Sequence, residues 1–130
     1  MTLVAVPGLN TARSIALASG GTLKLLLTSA GIKNRSIRDA LVDLIGKPIS
    51  QSSALCIPTA MYGHPWVGPG EKAWQFISGQ EPNCPMCELG WKSLGVLELT
   101  ALPSIDEERW VPLVKETDVL LASGGDALYL

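Results

Sequence analysis

Asp118-Val-Leu-Leu-Ala-Ser-Gly-Gly-Asp-Ala-Leu-Tyr-Leu130 reads as a buried strand, a Gly-Gly turn and the first turn of a helix. A short apolar run closed by two glycines is how a strand of an α/β sheet hands over to its crossover. Glycines at the carboxyl end of such a strand leave backbone N–H groups uncovered by side chains, where a ligand or an oxyanion can approach. The sequence stops inside the helical half of this unit. The group that the turn serves is therefore expected beyond residue 130.

Three earlier runs have the same character. Leu23 to Ser29 (LKLLLTS) is almost continuously apolar and is followed by Ala30-Gly31, the pattern of a strand covered on both faces. Ala54 to Thr59 (ALCIPT) and Val96 to Leu102 (VLELTAL) complete the set of four strands. Between the first two, Ser36 with Asp39 three residues on predicts a helix start, and Gly46-Lys47-Pro48 predicts its stop. Ile37, Ala40, Leu41, Leu44 and Ile45 fall on one face of that helix. Tyr62 to Gly70 is a loop dense in glycine and proline, and helices are predicted over Glu71 to Ile77 and Pro85 to Leu94. Ser104 followed by Asp106, Glu107 and Glu108 marks a further helix start, with Pro112 predicting a kink or two short segments.

This alternation predicts an α/β domain over residues 23–130: an open, mostly parallel doubly wound sheet of about four strands with helices on both faces. Met1 to Thr22 is apolar and rich in small residues, and reads as an N-terminal extension outside the core. No basic region precedes its apolar run and Arg13 interrupts it, so it does not read as a secretion signal. With the last strand central in a fuller sheet, one flank of that strand is expected to lie open, inviting self-association through the sheet edge.

Composition removes several classes of partner. The 130 residues are 47% hydrophobic and 17% charged, which describes a globular chain rather than a disordered one. A net charge of −2 without a basic run argues against nucleic acid and against an anionic membrane surface. No apolar stretch approaches the length of a spanning helix. Three cysteines, an odd number in a short chain, fit a reduced cytoplasmic protein better than a disulfide framework.

Ligands of open α/β sheets bind outside the carboxyl ends of the strands. Those ends carry Ser29-Ala-Gly31, Thr59-Ala-Met-Tyr-Gly-His64 and Ser123-Gly-Gly-Asp126, which gathers the glycine turns and the sole histidine at one edge. His64 is a candidate acid, base or substrate contact, against the blander reading of a loop histidine bonded locally. Cys84-Pro-Met-Cys87 is a C-x-x-C pair and carries the alternative reading, a non-catalytic small-ligand or redox module. The irregular segment before it is not the central strand that precedes a thioredoxin-type pair, and an incidental pair at a loop–helix junction is the bland reading. No metal site is expected, since only Cys56 and His64 remain as thiol or imidazole ligands. The glycine-rich segments match neither phosphate-loop pattern, and no serine sits in a G-x-S-x-G elbow.

At Leu25-Leu-Leu-Thr-Ser-Ala-Gly31, Ile57-Pro-Thr-Ala60 and Leu121-Ala-Ser-Gly-Gly-Asp-Ala-Leu-Tyr-Leu130 the chain resembles the N-terminal half of the peptidase E family, aspartyl-dipeptidase-like serine peptidases of the class I glutamine-amidotransferase-like fold. The resemblance runs from Leu23 to Leu130. It implies a cytoplasmic, cofactor-free hydrolase acting on short, Asp-containing peptides, with Gly124 and Gly125 contributing to the oxyanion hole. Asp126 stands where the family commonly has asparagine, so an amide donor is replaced by a negative charge; Asp126 and His64 are the candidate substrate contacts. The family's nucleophilic serine and catalytic histidine follow after the next strand. None of that lies within residues 1–130, so the resemblance implies that this chain holds no catalytic residue and is inactive by itself.

Overall fold

Leu23-Lys-Leu-Leu-Leu27 does lie in a strand, but it is the third of six among the described residues, and the first two come from the segment expected to stand outside the core. A computed structural model describes residues 2–7, 14–16, 22–63, 70–126 and 128. In chain order these form β1 (Thr2–Pro7), β2 (Ser14–Ala16), β3 (Thr22–Thr28), α1 (Arg35–Ile45), β4 (Ser53–Ile57), α2 (Thr59–Tyr62), α3 (Glu71–Ile77), β5 (Ser93–Val96), α4 (Glu107–Glu116) and β6 (Val119–Ala122). Two 3-10 turns, Ile49–Gln51 and Leu99–Ser104, lead into β4 and α4.

The open sheet has the order β2-β3-β1-β6-β4-β5. β4 is parallel to both β5 and β6, whereas β1 is antiparallel to both β6 and β3. It follows that β3, β6, β4 and β5, the four strands expected from the sequence, all run the same way. The sheet is mixed because two strands run against these four: β2 at the edge beside β3 and, between β3 and β6, β1. Its register with β3 extends from Thr2↔Thr28 to Pro7↔Leu23. Val4 and Ala5 are both buried, one toward each face, so β1 is part of the core and not an appendage. β1 also covers the flank of β6 that was expected to be open; among the described residues the sheet's outer strands are β2 and β5.

The core lies on one face. Ala54 and Cys56 of β4, Val119 and Leu121 of β6 and Val4 of β1 project there, the alternation being the two-residue period of a strand. Leu41 of α1, Phe76 of α3, and Met86 and Cys87 from the segment before β5 close over them. Truncating Leu41 or Phe76, each essentially without exposed surface, would cost about 2–5 kcal/mol. α4 lies on the other side, beside Leu55 and Gly95, and buries none of its residues fully. Leu27 remains 56% exposed on this thinner side.

Local starts and stops differ in detail from the sequence reading. α1 is capped by Asn34, not Ser36: Asn34 Oδ1 accepts from Ile37 N–H at 2.9 Å and from Ser36 Oγ at 2.8 Å. Gly46 closes the helix in the left-handed conformation, its N–H donating to Val42 O, as its position predicted. Pro112 does not divide α4 into two segments; the helix runs through it from Glu107 to Glu116. Residues 85–92 form no helix. Their backbone is engaged elsewhere: Ile32 N–H donates to Pro85 O at 2.8 Å, Met86 N–H to Glu88 Oε2 at 3.0 Å, and Trp91 Nε1 to Met86 O at 2.7 Å. β5 accordingly begins before Val96, and the segment after it winds into the 3-10 turn.

Candidate functional site

β6, β4 and β5 are neighbours and co-directional, so their carboxyl ends form one edge. β4 ends at Ile57 and passes through Pro58 into Thr59 and Ala60, both buried at the start of α2. β6 ends at Ala122 and continues through Ser123 into Gly124-Gly125. The two ends are stitched together: Ser123 N–H donates to Ile57 O at 3.1 Å, and Asp126 N–H to Ala60 O at 2.9 Å. Gly125 sits so close to the Ala60 carbonyl that a Cβ there would overlap it. Glycine is required at 125 by that approach. Among the described residues, the N–H groups of Gly124 and Gly125 have no hydrogen-bond partner. Two adjacent uncommitted donors on a rigidly held turn are what anion recognition needs.

β5 supplies a group that the sequence reading passed over. Glu98 accepts from Thr100 Oγ1 at 2.9 Å, and Thr59 Oγ1 lies 3.4 Å from the same Oε1. A carboxylate therefore stands at the β5 end next to a buried hydroxyl at the β4 end. Its signal was a lone charge at the end of an apolar run, Val96-Leu-Glu98. Within a strand expected to reach Leu102, that charge carries no mark of an edge position.

Of the residues expected at this edge, Gly124, Gly125 and Asp126 come together with Thr59 and Ala60. Asp126 Oδ1 accepts from Leu128 N–H at 2.8 Å, so one carboxylate oxygen is already committed to its own turn. His64 lies outside the described residues. Ser29-Ala-Gly31 follows β3, which is separated from β6 by β1. Gly31 also packs against the Cys84–Pro85 backbone, where a Cβ would meet Pro85 O at 2.7 Å. That strand end is filled by protein.

Ser123 and Thr59 are both buried, and among the described residues their hydroxyls bond the Ile57 carbonyl and the Glu98 carboxylate. The C-x-x-C pair is also not what its spacing suggested. Cys87 is buried in the core cluster that also holds Cys56. The mutual side-chain interaction of these two thiols draws Cys56 down against the effect of burial and, together with burial, pushes Cys87 up. With no helix following Cys84, no helix dipole acts on that thiol. Among the described residues no cluster of three or more potential ligands suits a metal ion, and no helix is long and apolar enough to cross a membrane.

A groove of about 330 Å³ opens at the opposite, amino-terminal side of the strands, between Ser53, Leu55, Gly95, Leu113 and Thr117. It shares no residue with the Gly124–Gly125 turn. No family model, curated protein or solved structure matches the chain.

Proposed function

We propose that the chain carries the oxyanion-hole side of a serine-peptidase-like site for short, Asp-containing peptides, of the peptidase E type, working in the cytoplasm without a cofactor. The observation that supports this reading is the Gly124–Gly125 turn. It combines two uncommitted N–H donors with a backbone contact to Ala60 that permits no side chain. Donors held in place before the substrate arrives stabilise a developing oxyanion without reorganising, and this is the largest single contribution in acyl transfer. Thr59, next in sequence to the Ala60 that Gly125 touches, and Glu98, 3.4 Å from the Thr59 hydroxyl, would meet the polar backbone or the amino end of a short peptide. No serine within residues 1–130 sits in a nucleophile elbow, so on this reading the chain binds the peptide carbonyl but does not cleave it.

Titrating the isotope-labelled chain with an Asp-containing dipeptide tests this directly. The Gly124 and Gly125 amide resonances are expected to move together, and to stop responding in a Gly125→Ala variant that remains folded. Unmoved glycine amides at millimolar dipeptide would remove the reading. Hydrolysis of the dipeptide by the chain, sensitive to a serine-directed inhibitor, would show instead that a nucleophile lies within these residues.

A further inference from the structure

We propose that a second copy of the chain pairs antiparallel with the outer edge of β5 and sets its Lys92 against Glu98, so that each candidate site is completed by a residue of the other copy. β5 is an outer strand of the sheet, and among the described residues no strand pairs with its outer side. The backbone defines what that side presents. Leu97 N–H donates inward to Cys56 O at 2.8 Å, so by the alternation of a strand the backbone groups of Gly95 also face β4. Those of Leu94 and Val96 then face outward. Both side chains are exposed, and β5 holds none of the charges or prolines that discourage strand pairing. Leu113 of α4, also exposed, lines a groove together with Ser93, Leu94 and Gly95 of this edge.

A two-fold axis through Gly95 makes two such edges complementary. Leu94 of one copy lies opposite Val96 of the other, and their outward N–H and C=O groups bond reciprocally. At the axis Gly95 meets Gly95, where no side chains collide. Continued outward, the same register sets Lys92 opposite Glu98 of the second copy. An axis at Leu94 or at Val96 would set Lys92 against Val96 or Thr100 instead, so charge complementarity selects Gly95. Both charges are uncommitted within one copy. Lys92 is held by its N–H, which donates to Ser52 O at 3.0 Å, but its ammonium forms no ion pair among the described residues. Glu98 Oε1 accepts from Thr100 Oγ1 at 2.9 Å, while Oε2 has no described partner. Side chains directly opposite on antiparallel strands start about 5 Å apart, within reach of an ion pair. One consequence rests on the peptide-binding reading. Glu98 and Asp126, the charged groups placed at the site, are both acidic, and an Asp-containing peptide adds negative charge. Lys92 of the second copy offsets that repulsion, so the paired form is the one that takes the peptide.

Sedimentation equilibrium of the full chain without any peptide tests the pairing apart from that consequence. The unaltered chain is expected to dimerise in the micromolar range. Lys92→Glu and Glu98→Lys each set like charges against one another at both contacts, and each is expected to weaken the dimer by about tenfold. Mixed in equal amounts, the two variants restore opposite charges at both contacts, and the mixture is expected to dimerise as the unaltered chain does. Lys92 is exposed, so Lys92→Glu carries the test by itself if Glu98→Lys does not fold. An unaltered chain that stays monomeric throughout the micromolar range, a Lys92→Glu variant that dimerises equally well, or a mixture of folded variants that fails to recover would each overturn the proposal. If the dimer obeys the charge swap but the Gly124 and Gly125 amides ignore an Asp-containing dipeptide, the pairing stands and the peptide reading falls.

Discussion

Gly125 backs directly onto the Ala60 carbonyl, the same oxygen that accepts the Asp126 N–H at 2.9 Å. The end of β6 is thereby fixed to the start of α2 by one hydrogen bond and one contact with no room for a methyl group. Adding that methyl in Gly125→Ala forces the turn away from Ala60 and should destabilise the fold by about 1–3 kcal/mol, the usual cost of overpacking. Urea unfolding measures it. A midpoint equal to that of the unaltered chain would mean that the turn relaxes freely and is not pre-organised for an oxyanion.

Asn34 rather than Ser36 satisfies the first amides of α1, which separates two substitutions that look alike in the sequence. Asn34→Ala should cost about 1 kcal/mol, the ordinary loss for an N-cap. Ser36→Ala removes only a hydroxyl that donates to the cap on an exposed surface, and should change stability by no more than about 0.5 kcal/mol. Equal losses in the two variants, read from the same urea titration, would return the cap to Ser36.

Two carboxylates should govern the response to acid. Glu81 is 4% exposed; burial pushes its carboxyl up, but Lys72 Nζ at 2.7 Å from Oε2 and Asn83 N–H at 3.0 Å from Oε1 outweigh this and hold it below the usual range. Asp118 is held down in the same way, against burial, by Lys47 and by the N–H and hydroxyl of Ser53. A carboxyl that titrates lower in the folded state than in the unfolded one contributes its full stabilisation above the unfolded value, about 4. That stabilisation disappears as the pH falls through the folded value. Glu81→Gln should therefore lower stability by about 1–3 kcal/mol near neutrality. It should also flatten the acid side of the stability curve. If the variant loses as much stability well below the carboxylate range as at neutral pH, its defect is one of packing rather than charge.

Much of the fold could be read from the sequence, and the exceptions share a cause. β3, β4, β6, α1 and α3 are written in local signals: an apolar run, a 3.6-residue period, a closing glycine. β1 is not. What makes Thr2–Pro7 a strand is pairing with β3 some twenty residues on and with β6 more than a hundred residues away, and a run of small apolar residues does not announce such partners. Residues 85–92 failed in the opposite sense. Their spacing suits a helix, but the Ile32 N–H and the Trp91 indole claim the Pro85 and Met86 carbonyls. The site divides along the same line. Gly124-Gly125 was visible as turn chemistry, whereas Glu98 gained meaning only when β5 proved to end two residues before it. Cys87 likewise belongs to one core cluster with Cys56, thirty-one positions away in the sequence, which the C-x-x-C spacing does not announce.

The same topology relocates the surface on which copies of the chain should meet. β6, whose flank was expected to be open, lies between β1 and β4, whereas β5 presents its outer backbone at the sheet edge. Leu94 and Val96 on β5 are 38% and 47% exposed, and neither is a charged or proline residue of the kind that discourages strand pairing. Two such edges can pair about a two-fold axis through Gly95, which brings Leu94 and Val96 of each copy against those of the other. Light scattering during size-exclusion chromatography should find species larger than 13.8 kDa for the unaltered chain. The double variant Leu94→Lys, Val96→Lys should return the monomer, because like charges would then face one another across the pair. A monomer in the unaltered chain throughout the micromolar range would show that β5 does not serve as a pairing edge, and an unchanged oligomer in the lysine variant would move the interface elsewhere.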